Sequence, residues 1–203
     1  MNKKYELLQD DTRQCDGRTL YRIRALVAIG AMVAAGDLGG YVETEKNVCT
    51  DGDAWVSGDA WVSGNARVSG NAQVSGNAQV YGDAWVSGNA QVYGDAQVYG
   101  NAQVSGGAQV SGGAQLVWFS NVGSENGTLT VCSAKIGLFV SRGCFSGTDV
   151  EFLAAVNAKH GKKSKIGREY HLLIEVARSR IEVKSDAPAP DVKTEVEAEV
   201  VVL

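Results

Sequence analysis

Between Gly52 and Leu116 the chain repeats a unit of six residues, opening GDAWVS GDAWVS GNARVS and closing GNAQVS GGAQVS GGAQL. Glycine recurs at every sixth position from Gly52 to Gly112, with alanine two places after each glycine. Valine follows four places after, until Leu116 takes the last such place. This period is not that of a helix, and it is longer than the two-residue alternation of a strand. Short strict repeats belong to solenoids, in which a unit buries its apolar side only by stacking on its neighbours. Alanine and valine stand two apart, so an extended chain turns both to one side. That side is the interior. Gly followed by Asn, Asp or Gly supplies a sharp corner, because these residues tolerate positive φ. Ser, Tyr, Gln, Trp and Arg take the outward places. A flexible Gly-rich linker would not hold valine and tryptophan in phase.

The units resemble the hexapeptide repeat of left-handed parallel β-helices, an aliphatic residue followed four places on by a small one. The resemblance implies a triangular coil of three units, about eighteen residues, so the eleven units would make about three and two-thirds coils. It also implies a homotrimer with flat faces side by side. On such a coil, Ser63, Tyr81 and Tyr99 form one outward column, and Ser75, Tyr93 and Ser111 a second. Gln73, Gln91 and Gln109 make one ladder, and Gln79, Gln97 and Gln115 another; stacked glutamines hydrogen-bond along such ladders. Trp55, Trp61 and Trp85 fall on three different faces. Two roles fit them. One is a subunit contact together with Tyr81 and Tyr99, since aromatics are enriched in interface cores. The other is packing beneath a neighbouring loop.

Four segments follow from the pattern. Residues 1–51 read as an N-terminal β cap and a first, irregular coil. KKYELL and TLYRIRAL alternate as strands, DDTRQCDGR is the turn between them with Asp16-Gly17 as hairpin signal, and Tyr41-Val42 and Val48 begin the coil. A hairpin here covers the open end strand of the solenoid. Residues 52–147 hold the hexapeptide-repeat β-helix and closing strands, with apolar runs at Leu129–Val131 and Leu138–Val140 that continue or close it. Gly143-Cys144-Phe145-Ser146-Gly147 reads as a structural turn rather than a nucleophile loop. Residues 148–181 read as a two-helix cap. Thr148 and Glu151 form a capping-box pair, Val150, Phe152, Leu153 and Val156 an apolar stripe, and Gly161 a stop. A second helix over about Ile166–Ile181 turns Tyr170, Leu173, Ile174, Ala177 and Ile181 to one face. The two helices are expected to pack together and shield the last coil. Residues 182–203 form an acidic tail with both prolines, favouring mobility. The expected fold class is mainly β: a left-handed parallel β-helix with a hairpin cap and a two-helix cap.

The net charge of −4 argues against nucleic acid as the main partner. No apolar run suits a transmembrane helix, and MNKKYELLQDD lacks the apolar core of a signal peptide. We expect a soluble protein of the bacterial cytoplasm, without membrane contact. The four cysteines form no CxxC pair, which predicts free thiols, no metal site and no cofactor. The coil carries one cation, whereas residues 117–181 carry nine. Lys159, Lys162, Lys163, Lys165 and Arg168 cluster there with His160. The segment either holds a phosphate-like anion at the start of the second helix or is a solvated helix junction.

Hexapeptide-repeat β-helices of the resembling family include acyltransferases, which use a histidine base, and carbonic-anhydrase relatives, which hold a metal with three histidines. Here the two histidines, His160 and His171, both lie outside the repeats, and no loop interrupts the repeats to cover an acyl donor. A non-catalytic protein is the expectation, with a divergent acyltransferase as alternative. A second resemblance rests on KYELL, TLYRIRAL and GDLGGYVE, the GNAxVxG units, and GCFSGT and REY. This layout is similar to a group of phage and prophage proteins and covers the chain up to about Ile181. It implies a phage-borne binding protein, an inhibitor of host immunity that sequesters a signalling nucleotide or binds a host protein. A structural or virion-associated spacer is the third reading.

Overall fold

The structure, a computed structural model, describes residues 3–112 and 115–182. The acidic tail expected over 182–203 therefore lies, Glu182 apart, outside the described residues. The chain opens with a hairpin of β1 (Tyr5–Cys15) and β2 (Arg18–Ala25), antiparallel and joined by Asp16-Gly17. Both turn residues have positive φ, 49° and 76°, the conformation that an Asp-Gly hairpin supplies. The residues DDTRQC, expected as turn, belong to β1. A register shift between Leu8 and Thr12 and an outer edge rich in exposed polar groups removed the hydrophobic signal there.

The repeats form a parallel β-solenoid of three faces. The first contains β3 (Leu38–Val42), β5 (Trp61–Val62), β8 (Gln79–Val80) and β11 (Gln97–Val98), and continues through β3 into the hairpin. The second contains β4 (Trp55–Val56), β7 (Gln73–Val74), β10 (Gln91–Val92) and β13 (Gln109–Val110). The third contains β6 (Arg67–Val68), β9 (Trp85–Val86) and β12 (Gln103–Val104), preceded by a bridge from Val48 to Val68. The expected irregular first coil is present, beginning at Tyr41, which pairs with Trp61. Alanines 54 to 108 and valines 56 to 110 of the repeats are fully buried. The corner glycines from Gly52 to Gly106 hold positive φ, and those from Gly52 to Gly88 each lie against their counterpart in the next coil. At Gly76 (φ 68°) a Cβ would stand 2.9 Å from the Gly94 nitrogen, so an alanine there meets backbone on top of a strained φ.

Asparagine and aspartate stack at the corners: Asn65 donates to Asp83 (3.0 Å), Asn71 to Asn89 (3.2 Å) and Asn77 to Asp95 (3.0 Å). On the first face, Trp61, Tyr81, Tyr99 and Trp118 form a continuous aromatic column, with ring centroids 5.6, 5.2 and 4.6 Å apart. The ladder of Gln73, Gln91 and Gln109 is in register, as is Gln79 with Gln97. Gln115 is not in the ladder. Its Oε1 accepts from the Ser111 nitrogen and hydroxyl, both at 2.9 Å. Leu116 instead starts an antiparallel strand opposite Cys132.

The closing strands do not continue the solenoid. β14 (Leu116–Val122), β15 (Gly127–Ser133), β16 (Leu138–Arg142) and β17 (Phe145–Thr148) make an antiparallel meander with two apolar faces. Leu116, Trp118, Cys132 and Phe139 pack on the coil. Their neighbours Val117, Phe119, Val131 and Val140 face a second core shared with the helices, as strand alternation requires. The helices, α1 (Asp149–His160) and α2 (Lys165–Arg180), thus cover the meander, and the meander covers the coil. Thr148 and Glu151 form the complete capping box. Gly143-Cys144 is a hairpin turn. Phe152 and Val156 are buried, but Val150, expected in the stripe, is 66% exposed. Tyr170, Ile174, Ala177 and Ile181 are buried as expected, with Leu173 partly so.

Each coil donates backbone N–H groups on either side of its valines to carbonyls of the following coil, as Gln73 does to Ala90 (2.9 Å) and Ser75 to Val92 (2.9 Å), while Val68 donates the other way, to the Asn47 carbonyl (2.8 Å). The N-terminal end therefore presents carbonyls, and donors meet them. Buried Lys4 Nζ donates to the oxygens of Gly52 (3.0 Å) and Ala54 (2.8 Å). Asn47 Nδ2 donates to Gly64 (3.1 Å) and Ala66 (2.9 Å). At the other end acceptors are supplied: the Gln103 nitrogen donates to Thr130 Oγ1 (2.9 Å), and Ser111 to Gln115. Burial lowers the Lys4 pKa, against the pull of Cys49, Asp53 and Asp51.

Val86→Asp should abolish cooperative folding. It removes about 1.5–3 kcal/mol of apolar burial and leaves a carboxyl with no partner among valines and alanines. Gln91→Ala, at an exposed position, should stay within about 0.5 kcal/mol. A thermal melt checks both; parental melting of Val86→Asp would overturn the interior assignment. Lys4→Met keeps most of the stem and orphans two carbonyls, at a cost of roughly 1.5–3 kcal/mol by denaturant titration. A negligible change would mean that water replaces the ammonium.

Candidate functional site

The N-terminal cap treats the three faces of the coil unequally. The first is continued by the hairpin. Over the second lies the loop between β2 and β3, where Ile29 is buried and Val33 packs on the core. Trp55 is enclosed there, 2% exposed, with Tyr5 edge-on at 6.3 Å. Among the described residues the top of the third face carries the turn Thr44–Asn47, closed by Asn47 Oδ1 accepting from the Thr44 nitrogen (2.8 Å), and the short bridge of Val48 to Val68. Below this turn the wall stays open.

Six of the ten two-residue strands of the repeats begin with glutamine, three with tryptophan and one with arginine. Trp55 and Trp61 are buried, but Trp85 is 50% exposed. Directly above Trp85, paired with it across the parallel strands, stands Arg67, the one cation of the repeats. Trp85 Nε1 donates to Ser69 Oγ (3.0 Å), which fixes the indole against the wall. Two adjoining concavities of about 550 and 380 Å³ share Lys46, Arg67 and Trp85 as lining. Both volumes fall in the roughly 300–1,000 Å³ range of small-molecule sites.

Charge within this groove is partly consumed. Glu43 accepts from the Gly64 nitrogen (2.6 Å) and Arg18 Nη1 (2.8 Å), and these bonds hold its carboxyl below the usual range, Gly64 contributing most. Asp83 accepts from Asn65. Among the described residues, Arg67 and Lys46 are exposed and have no acidic partner within ion-pair distance. The cation–π contact of the first coil, Arg22 over Tyr41 at 4.9 Å, does not involve them.

The residues singled out in the sequence are distributed differently. Burial removes Trp55 and Trp61 from any subunit surface, and packing under the cap accounts for Trp55. Tyr81 and Tyr99 both lie within the aromatic column, and Tyr99 is 39% exposed. His160 lines a cavity of about 230 Å³ with Lys159 and Arg142. Arg142 is already engaged there by the Tyr170 hydroxyl (3.0 Å) and the Val122 carbonyl (3.2 Å). Lys162, Lys163, Lys165 and Arg168 are exposed around the start of α2 and do not line that cavity. The Gly167 nitrogen at the same end is taken by Ser164 Oγ (2.9 Å). His171 bonds Asn157 (2.9 Å). Among the described residues no group of three metal-ligating side chains converges, and no helix is long and apolar enough to cross a membrane. The pairing of Arg67 with Trp85 was legible in the eighteen-residue period; Lys46, on the irregular first turn, carried no such signal.

Residues 60–112 match the model of the YdcK beta solenoid repeat in overlapping copies, at 60–76, 72–88, 78–94, 90–106 and 96–112. No curated protein gives a significant match. The repeat match and the stacked parallel coils together make this chain a β-solenoid repeat protein.

Proposed function

We propose that this solenoid is a non-catalytic binding protein that works through the open groove on its third face. One observation carries the reading: Trp85 stays half exposed in a groove shared with Arg67 and Lys46, two cations that have no acidic partner among the described residues, on a wall whose other outward positions are mostly glutamine and serine. A large aromatic group left uncovered beside free charge suits recognition better than packing. The rigid coil beneath needs no rearrangement to present it. The resemblance to phage and prophage proteins supports a finer reading, an inhibitor of host immunity in the bacterial cytoplasm that sequesters a signalling nucleotide or a host protein. The hexapeptide resemblance supports a homotrimer.

The test is affinity capture from bacterial cells expressing the tagged chain, with mass spectrometry of bound proteins and nucleotides. The parent should retain a species that Trp85→Gln loses. A parent that captures nothing above an untagged control overturns the binding reading. Light scattering of the same preparation should return three times the 21.4 kDa chain mass; the mass of one chain removes the trimer.

A further inference from the structure

Two departures from the repeat coincide in space. The fourth position of each unit is an outward place that glutamine fills by default, as in the column where Gln109 Nε2 donates to Gln91 Oε1 (3.4 Å). Trp55 and Trp61 have structural employment beneath the cap and in the aromatic column. Trp85 packs under no cap and into no aromatic column, its indole held by the Ser69 hydroxyl, and Arg67 makes no ion pair among the described residues. They occupy adjacent coils of one face, paired residue on residue, and that face is the one the hairpin and its loop leave open. Neighbouring strands lie about 4.8 Å apart, so an arginine and an indole on the same outward column span one small planar ligand. Lys46 faces both concavities from the turn above.

We propose that this groove binds a nucleoside monophosphate, its base stacked on Trp85 and its phosphate held by Arg67 and Lys46. The inference rests on the binding reading above and names its ligand class. An indole face accepts any base, because every base has a π-face. A guanidinium grips a phosphate through two parallel bonds, and an ammonium adds a point charge. Glu43 and Asp83, the acids lining the larger concavity, are engaged by Gly64, Arg18 and Asn65, which reduces their repulsion of the anion. Ser69 holds the indole in place before the ligand arrives, so little side-chain freedom is lost on binding.

The substitutions that test this are mild, because each restores the repeat's own usual residue. Arg67→Gln turns GNARVS into GNAQVS, and Trp85→Gln turns GDAWVS into GDAQVS; unchanged melting temperatures verify the fold. The probes are AMP, GMP, CMP and UMP, with adenosine and inorganic phosphate as fragments, titrated by calorimetry and by tryptophan fluorescence. At least one monophosphate should bind the parent, with affinity falling as salt rises. Trp85→Gln should weaken it roughly 10-fold or more, the scale of one lost base stack. Arg67→Gln should weaken AMP by a similar factor and leave adenosine unchanged. No binding of any monophosphate at about millimolar concentration overturns the ligand assignment, while capture of a protein partner would leave the binding reading standing. Binding that survives Trp85→Gln overturns the site. Loss instead in the combined Lys162→Gln, Lys163→Gln, Lys165→Gln and Arg168→Gln variant also overturns it and places the anion on the helical cap.

Discussion

The direction of the backbone hydrogen bonds governs this molecule. In this parallel stack the N–H groups flanking each valine go to the coil after it, as from Gln73 and Ser75, while a bond such as Val68 N–H to the Asn47 carbonyl (2.8 Å) returns, so unpaired carbonyls predominate at one end and unpaired amides at the other. Buried backbone groups without partners are costly, and the chain answers each end in kind. Lys4 and Asn47 bring donors to the carbonyls of Gly52, Ala54, Gly64 and Ala66; Thr130 and Gln115 bring acceptors to the amides of Gln103 and Ser111. The logic is that of helix capping, spread over a triangle. The caps are therefore not interchangeable covers. A lysine buried at the N-terminal end makes sense only because what it meets is oxygen.

The caps also decide which surface remains. The hairpin prolongs one face, its following loop takes a second, and among the described residues the third keeps a short turn and the bridge at Val48. The groove around Trp85 is what that uneven covering leaves. The aromatic column from Trp61 to Trp118 works the other way, running the length of the coil from beneath the hairpin to the meander. Trp61, Tyr81 and Tyr99 stack face to face and Trp118 closes the column edge-on, so these rings spend their surface on one another, unlike the single indole of Trp85.

The coil was legible because its signal is local and repeated. Glycine, alanine and valine in phase determine corner, interior and stacking neighbour at once, and the two helices announced themselves by caps and periodicity. The failures are all cases where distant pairing prevailed over local pattern. GGAQL keeps the repeat's spacing, yet Leu116 pairs with Cys132 and Gln115 turns back to Ser111. DDTRQC looks like a turn but is the outer strand of a hairpin, polar because both its sides meet water. Val150 fits a helical stripe and still faces solvent, because the meander beneath α1 is reached by Phe152 and Val156. Trp55 and Trp61 left two readings open along the chain, and only the cap over Trp55 and the stack of Trp61 on Tyr81 account for their burial. The open groove needed that same non-local fact, although the stacking of Arg67 on Trp85 could be counted along the chain.

The corner columns carry a further consequence. Units running Asp, Asp, Asn, Asn, Asn, Asp, Asn, Asp, Asn look irregular in order, but at intervals of eighteen no aspartate follows an aspartate. The repeat therefore has two clocks. The six-residue clock sets what a unit is; the eighteen-residue clock sets what it touches. Excising one unit between Asp59 and Asp83 would spare every local preference and still bring those two carboxylates onto adjacent coils. It would also swing everything downstream through a third of a revolution, parting Trp85 from Arg67 if the cut fell between them and aiming the meander and helices along a different bearing. The solenoid is in this sense a gear. Its tooth count sets the angle between its two ends, so its length and its orientation cannot change independently.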